Sequence, residues 1–223
     1  MSTNAIRTQP TPPTQPPPPP GPLGPTSPGA VTVRILVWQP DLRHTAHAGI
    51  ATAIGAYLRP LPIAQAISVT VVRCRNRADV IAALAHSADI VVVTCHSTWQ
   101  DGTLTALLGT DLQDLTGLIR AHAVILDSCW LATTPAQATA LTAHPTPVAA
   151  CSTETRFKNS PLLIGPLLAD LAARAPTSDW RTALNQALAH AHATAMQQLA
   201  TIGITAAQQR HAIDEWDAWE VLP

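Results

Sequence analysis

The chain has 223 residues, a net charge of −1, 47% hydrophobic residues and four cysteines. It contains no run of basic residues, which excludes the positive stripe that nucleic-acid phosphates require. No segment approaches 18 uninterrupted apolar residues and the N-terminus lacks a signal-peptide pattern, so we expect neither a membrane span nor secretion. The cysteines show no CxxC spacing, and in a domain of this size they are expected to be reduced thiols in the cytoplasm.

The first 30 residues differ from the rest in composition. About half of the 21 prolines lie before residue 29, and residues 16–20 are all proline. Proline lacks the backbone donor and the φ freedom that helices and sheets need, so residues 1–30 are predicted to be a disordered tail. Such a tail is a plain linker or a dock for a proline-binding module. Residues 31–223 suit one domain of ordinary size.

From residue 31 onward, short β-branched runs alternate with longer stretches of helical periodicity. Strands are predicted at 31–38, 68–73, 88–95, 123–127 and 147–151, with 218–222 as a candidate for a last strand. Helices are predicted at 47–58, 76–85, 135–143, 160–173 and 179–201, together with a polar loop and a short helix before residue 120. Four consecutive apolar residues, 90–93, indicate a strand buried on both faces. This alternation predicts an α/β fold with a mostly parallel sheet and helices on both faces.

Two strand ends carry the residues best suited to chemistry. The third predicted strand ends on Cys95-His96 and the fourth on Asp127-Ser128-Cys129. Functional groups in open parallel sheets lie just past the carboxyl ends of the strands, and adjacent strands are about 4.8 Å apart. We therefore expect His96 and Cys129 to meet, so that the imidazole stabilises a nucleophilic thiolate. The alternative is that Cys129 is a packing residue, since cysteine is among the most buried residue types.

The segments ADIVVVTCHS and AVILDSCW resemble the caspase-like cysteine peptidases, particularly the bacterial CHAT and metacaspase branches. The segments TPVAACSTET and EWDAWEVL resemble the region after the nucleophile and the terminal strand of CHAT domains. The resemblance covers most of residues 31–222 and implies a caspase-like three-layer sandwich, with 31–223 as the peptidase domain. It implies that His96 is the general base or acid, that Cys129 is the nucleophile and that the substrate is a protein or peptide. Bacterial members of this group often act in signalling, cell death or defence, which implies limited proteolysis of partner proteins and a regulatory partner.

The same resemblance assigns a substrate-binding role to Asp127. It matches the Asp of the metacaspase DSC motif, which helps to bind a basic side chain before the scissile bond. A carboxylate there would favour Arg or Lys through a charge-assisted hydrogen bond, with Asp101 and Asp41 adding negative charge. The alternative for Asp127 is a carboxylate that caps the next helix.

Ser97, Ser128 and nearby backbone amides are expected to surround the reacting carbonyl group. Ser97 stands where the family usually has the glycine that follows the catalytic histidine, and Trp130 stands where metacaspases have His-Ser-Gly, although the CHAT branch has bulky residues there. Only 33 residues separate His96 from Cys129, against roughly 50 in caspases. The Ser97 departure and the short interval favour a rival hypothesis, a catalytically inactive caspase-like interaction module. A flavodoxin-like ligand-binding domain is a third alternative.

No cofactor is expected from the sequence. It contains neither GxGxxG nor GxxxxGK[ST], the glycine motifs that bind nucleotides. His44 and His47 have the spacing of two metal ligands, but no third ligand is suitably spaced, so no metal site is predicted. Strand alternation directs Cys95 into the core, whereas Cys151 either modulates the site or packs.

Overall fold

The structure is a computed structural model that describes residues 29–41, 46–156, 158–174 and 179–223. Its strands are β1 (Val31–Trp38), β2 (Ile67–Cys74), β3 (Ile90–Thr94), β4 (Ser97–Gln100), β5 (Thr103–Leu107), β6 (Thr110–Asp111), β7 (Ala123–Asp127), β8 (Val148–Cys151) and β9 (Trp219–Val221). Its α-helices are α1 (Ala46–Leu58), α2 (Arg77–Leu84), α3 (Leu112–Leu115), α4 (Pro135–Ala140), α5 (Ser160–Arg174), α6 (Trp180–Thr201) and α7 (Ala206–Asp217). The prediction of a disordered tail falls almost wholly on residues 1–28, which lie outside the described residues.

Six strands form the central sheet in the order β2-β1-β3-β7-β8-β9. Every neighbouring pair is parallel except β8 and β9, which run antiparallel. Helices cover both faces, so the predicted class, an α/β sandwich of three layers with a mostly parallel sheet, is confirmed. The six predicted strands coincide with these six to within two residues at each end. Within the described residues no helix is both long and apolar enough to cross a membrane.

One face of the sheet packs against α1, α5 and α6, and we call it the helical face. Its sheet residues include Ile35, Val92 and Ile125, all of which are fully buried. Burying a side chain of this kind contributes about 2 kcal/mol to folding. Helix α6 turns one apolar face to this core: Leu184, Ala191, Ala195 and Leu199 are buried, while Trp180 and Leu188 are half-buried.

The other face, which we call the hairpin face, packs against α2, α4 and a small antiparallel sheet of β4, β5 and β6. Most of this small sheet replaces the polar loop that was predicted after residue 96, so that prediction is wrong; only the single turn of α3 matches the short helix. Asp101 and Gly102 form the β4–β5 turn with φ values of 49° and 74°. An Asp-Gly pair suits a two-residue hairpin turn, because both central residues need positive φ. The Thr-rich flanks then pair as strands, with Leu104 and Leu107 buried.

Helix α7 was not predicted, although its start has a sequence signature. Thr205 and Gln208 form a capping box, in which the Thr205 side chain accepts from the Gln208 amide and the Gln208 side chain accepts from the Thr205 amide. A threonine followed three residues later by glutamine is the pattern that announces such a helix start. The helix buries Glu215 and Trp216, and the chain then turns into β9.

Gly109, in the turn between β5 and β6, allows the backbone to lie directly on the ring of Trp38 at the end of β1. Its φ is +62°, and a Cβ added there would lie 2.3 Å from Trp38 Cζ2. We expect Gly109→Ala to lower the free energy of unfolding by about 3 kcal/mol, because it adds overpacking to the left-handed backbone cost. Gly102→Ala is the matched control, since its φ is +74° but nothing lies within 4 Å. We expect that control to lose only about 1 kcal/mol; equal losses in urea denaturation would contradict the contact with Trp38.

Candidate active site

The carboxyl ends of β3 and β7 bring His96 and Cys129 to the same edge of the sheet. Thr94 of β3 pairs in register with Asp127 of β7, and the Cys95 amide continues the ladder by donating to the Asp127 carbonyl at 3.2 Å. His96 and Cys129 are each two residues beyond this register pair. Neighbouring strands are about 4.8 Å apart, so the two residues leave the sheet side by side.

Ser97 ties these two strand ends together. Its hydroxyl donates to the Cys129 carbonyl at 3.0 Å and accepts from the Trp99 indole Nε1 at 2.8 Å. The Ser97 side chain was predicted to contact the reacting carbonyl group, but its hydroxyl is already committed within the protein. Ser97 therefore holds the backbone of Cys129 in place, and the expectation that nearby backbone amides surround the reacting carbonyl group stays a prediction.

His96 is exposed and lies against a second histidine. The His47 ring, at the start of α1 and only 2% exposed, meets the His96 ring edge-on, with centroids 4.8 Å apart and planes at 83°. This contact fixes the side of the sheet on which the imidazole lies, the helical face. His44 falls outside the described residues. Among those described, no group of three or more His, Cys, Asp or Glu residues is arranged to hold a metal ion.

Cys129 differs from the other three cysteines in exposure. All four are free thiols, and Cys129 alone is half-buried while Cys74, Cys95 and Cys151 are buried. Burial raises the pKa of the Cys74 thiol to about 11 and that of Cys95 to about 12, and it also raises the pKa of Cys151. These three thiols stay protonated and shielded at neutral pH. The burial of Cys95 on the hairpin face confirms the prediction from strand alternation.

The chain between β8 and α5 forms the wall beside the thiol. We call residues 152–156 and 158–159 the β8–α5 segment. Its Thr155 places the hydroxyl 3.7 Å and the carbonyl 4.0 Å from Cys129 Sγ. Its Thr153 carbonyl accepts from the Trp130 amide at 2.9 Å. The segment thus contacts both Cys129 and Trp130, and no role had been predicted for Thr155.

Glu215 of α7 anchors this segment from behind. Its carboxylate is 3% exposed, accepting from the Arg156 amide at 3.1 Å and from Asn159 Nδ2 at 2.7 Å. Desolvation raises the pKa of Glu215 to about 7, opposed by those hydrogen bonds. Because α7 was not predicted, Glu215 entered the sequence analysis only as the first residue of the segment EWDAWEVL, which resembles a terminal strand. The capping box at Thr205 was the signal that could have placed this glutamate on a helix.

Asp127 lies below the thiol, inside the sheet, rather than on the floor of an open pocket. It is 3% exposed, and its two oxygens accept from Thr94 Oγ1 and from Ser160 Oγ, both at 2.8 Å. Desolvation raises its pKa to about 6, and these two hydrogen bonds act in the opposite direction. The prediction of direct contact with a basic substrate side chain is therefore corrected. The alternative prediction, that Asp127 caps the next helix, is nearer to the structure. Asp127 does bind the first residue of a helix, but that residue is Ser160 of α5, which is not the next helix in the chain.

The remaining predicted substrate-binding residues fall in three different places. Ser128 is fully buried, because alternation directs it to the hairpin face, so the prediction that its side chain surrounds the reacting carbonyl is wrong. Asp101 lies at the tip of the β4–β5 hairpin, at the far end of β4 from His96, so its role in substrate binding stays a prediction. Asp41 follows β1 at the same edge of the sheet as His96, so its role stays a prediction.

No family model matches this sequence, and no curated protein matches it. Among solved structures, the chain is similar to a secreted C11 cysteine protease from Bacteroides thetaiotaomicron, whose X-ray structure is a complex with an irreversible peptide inhibitor. The sequence identity is 9% and the TM-score is 0.48, with 86% of this chain and 63% of that chain covered. This chain therefore spans less than two thirds of the length of that protein. At such values, the activity has to be inferred from the side chains at the sheet edge.

Proposed function

We propose that this protein is a caspase-like cysteine endopeptidase of the CHAT type that uses a His96–Cys129 dyad. The observation that carries the proposal is that one of four thiols is accessible, and it lies at the strand end next to the one that ends in His96. The imidazole would take the thiol proton, the thiolate would attack the scissile carbonyl carbon, and the protonated imidazole would return that proton to the leaving amine. Backbone amides near Ser97 and Cys129 would stabilise the oxyanion.

The substrates we propose are partner proteins cut at limited sites, in bacterial signalling, cell death or defence. Four free thiols fit a reducing compartment, and on that ground we place the activity in the cytoplasm. A regulatory partner protein is part of the same proposal. An inactive caspase-like interaction module is the outcome that would replace it if no thiol chemistry is found.

We propose a preference for cleavage after Lys or Arg that acts through the electrostatic field and not through direct contact. Asp127 and Glu215 are two buried carboxylates near the thiol, and the charge of Asp127 adds to the desolvation that raises the pKa of Glu215. With pKa values raised to about 6 and about 7, both become charged as the pH rises from 5 to 8. The negative potential at the cleft then grows, and a cationic side chain is attracted more strongly.

Incubation with a library of unstructured peptides, followed by mass-spectrometric identification of cut sites, tests this proposal. We expect cleavage by the wild-type protein, loss of cleavage in Cys129→Ala, and a Lys/Arg preference over norleucine that increases several-fold between pH 6 and pH 8. Cys74→Ala is the matched control, since its thiol is buried away from the site. Cleavage that survives in Cys129→Ala would rule out this nucleophile, and a preference for Asp before the cut would rule out the electrostatic mechanism.

A further inference from the structure

Trp130, directly after the thiol, combines a left-handed backbone with an exposed aromatic side chain. Its φ is 56° and its side chain is 45% exposed. Four large apolar residues are exposed within the described part of the chain, and Trp130 is the aromatic member of the four; the others are Val69, Val71 and Ile202. None of those three is adjacent in sequence to a residue of the candidate site.

Hydrogen bonds on both sides hold Trp130 in this conformation. Its amide donates to the Thr153 carbonyl at 2.9 Å, and its carbonyl accepts from the Thr133 amide at 3.0 Å and the Thr133 hydroxyl at 2.6 Å. The backbone on either side of the indole is therefore fixed. The direction in which the side chain leaves the backbone is therefore set by the fold.

This arrangement costs folding free energy that a different residue would not cost. A left-handed backbone is unfavourable for a bulky L-residue, and glycine would adopt it freely. The other described non-glycine residues with positive φ, Asp101 and Leu108, lie in the two-residue turns of the small antiparallel sheet, where such φ values are expected. Trp130 lies outside any hairpin turn, at the start of a short 3₁₀ helix, Leu131–Thr133. Strained residues of this kind concentrate at functional sites.

We infer that Trp130 is a specificity-determining residue that contacts an apolar or aromatic side chain of the substrate next to the scissile bond, an inference that rests on the proposed function. Trp130 directly follows Cys129 in the chain and is exposed, so a group bonded to Sγ through a short linker is within reach of the indole. An aromatic ring on the substrate can stack on the indole and cover apolar surface that water contacts in the free protein. Selectivity for the substrate would then come from the exposed Trp130 rather than from the buried Asp127.

The experiment compares alkylation of Cys129 by iodoacetamide and by N-(2-phenylethyl)iodoacetamide, read peptide by peptide in a mass spectrometer. In both reactions the thiolate attacks the methylene carbon, the C–S bond forms, the C–I bond breaks and iodide leaves. The measured quantity is the ratio of the two rate constants, which cancels the intrinsic reactivity of the thiolate. We expect the aromatic probe to be favoured about fivefold in the wild type, as a stacked aromatic pair allows.

Trp130→Gly removes the indole while keeping the left-handed backbone, and we expect its ratio to fall to about one. Trp130→Phe should keep most of the preference, and Ile202→Ala, another exposed apolar residue, should keep all of it. An unchanged ratio in a folded Trp130→Gly protein, checked by its urea midpoint, overturns the inference while the thiol chemistry stands. If wild-type Cys129 reacts no faster than Cys74, Cys95 and Cys151, the proposed function fails and the inference fails with it.

Discussion

His96→Ala is expected to slow the alkylation of Cys129 by iodoacetamide at pH 7 by up to about 30-fold, because a free cysteine, with a pKa of about 8.5, is only about 3% thiolate at that pH. The two residues lie two positions beyond an in-register pair of parallel strands, and Ser97 clamps the two strand ends together. Removing the imidazole takes away the group that accepts the thiol proton and stabilises the thiolate. The backbone of β3 and the core beneath it keep their contacts, because His96 is exposed.

The measurement is a time course of labelling at several pH values between 6 and 8, resolved for all four cysteines. The three buried thiols act as internal references, because burial raises the pKa of each of them. His86→Ala is the control for loss of an exposed imidazole elsewhere, since His86 follows α2 and its Nδ1 lies 2.7 Å from the Ala82 carbonyl of the same helix. Equal labelling rates for Cys129 in the wild type and His96→Ala would disprove the dyad.

The protein is expected to lose stability as the pH rises from about 4 to 7, because of the two buried carboxylates beside the site. The pKa of Asp127 rises from 3.8 to about 6 and that of Glu215 from 4.5 to about 7 on folding. A raised pKa in the folded state means that the folded protein binds the proton more tightly than the unfolded chain. The stabilisation is therefore complete below pH 4 and disappears as the pH passes through 6 and 7, at a cost of about 3 kcal/mol for each group.

Glu215→Gln should flatten this pH dependence by about half. The glutamine oxygen can still accept from the Arg156 amide, and the Asn159 amide can rotate to accept from the new NH₂ group, so the β8–α5 segment keeps its anchor. Glu220→Gln is the matched control, because Glu220 is exposed on β9. Urea denaturation at pH 5, 6, 7 and 8 gives the slopes. Parallel slopes for the wild type and Glu215→Gln would show that Glu215 does not ionise across this range.

The anchor also connects stability to the candidate site. Glu215 holds Arg156 and Asn159, and the same segment presents Thr155 to the Cys129 sulfur. A pH or a substitution that releases the glutamate therefore releases the wall beside the thiol. Glu215 on α7 is therefore linked to Cys129, just after β7, through the hydrogen bonds of the β8–α5 segment.

The sequence by itself determined the parallel sheet, its strand ends and the two residues that the proposed chemistry needs. A fully apolar run such as residues 90–93 has few alternatives to a central strand, because only a sheet with both faces covered buries every side chain. The carboxyl ends of such strands share one edge, so the places of His96 and Cys129 followed from the strand assignments alone. The resemblance of the two strand-end motifs then suggested their roles.

Only the tertiary structure decided on which face of the sheet the residues next to Cys129 are buried and which partners they bind. Asp127 and Ser128 directly precede Cys129 in the sequence, yet the strand pleat directs them to opposite faces of the sheet. Ser128 is buried on the hairpin face, and Asp127 accepts a hydrogen bond from Ser160 of α5. Glu215, 86 residues beyond Cys129, reaches the site because α7 packs behind the β8–α5 segment. Local periodicity specifies strands and helices, but it carries no information about which distant side chain supplies a hydrogen bond. Those partners are chosen by the packing of layers, where a buried polar group must find its donor or acceptor.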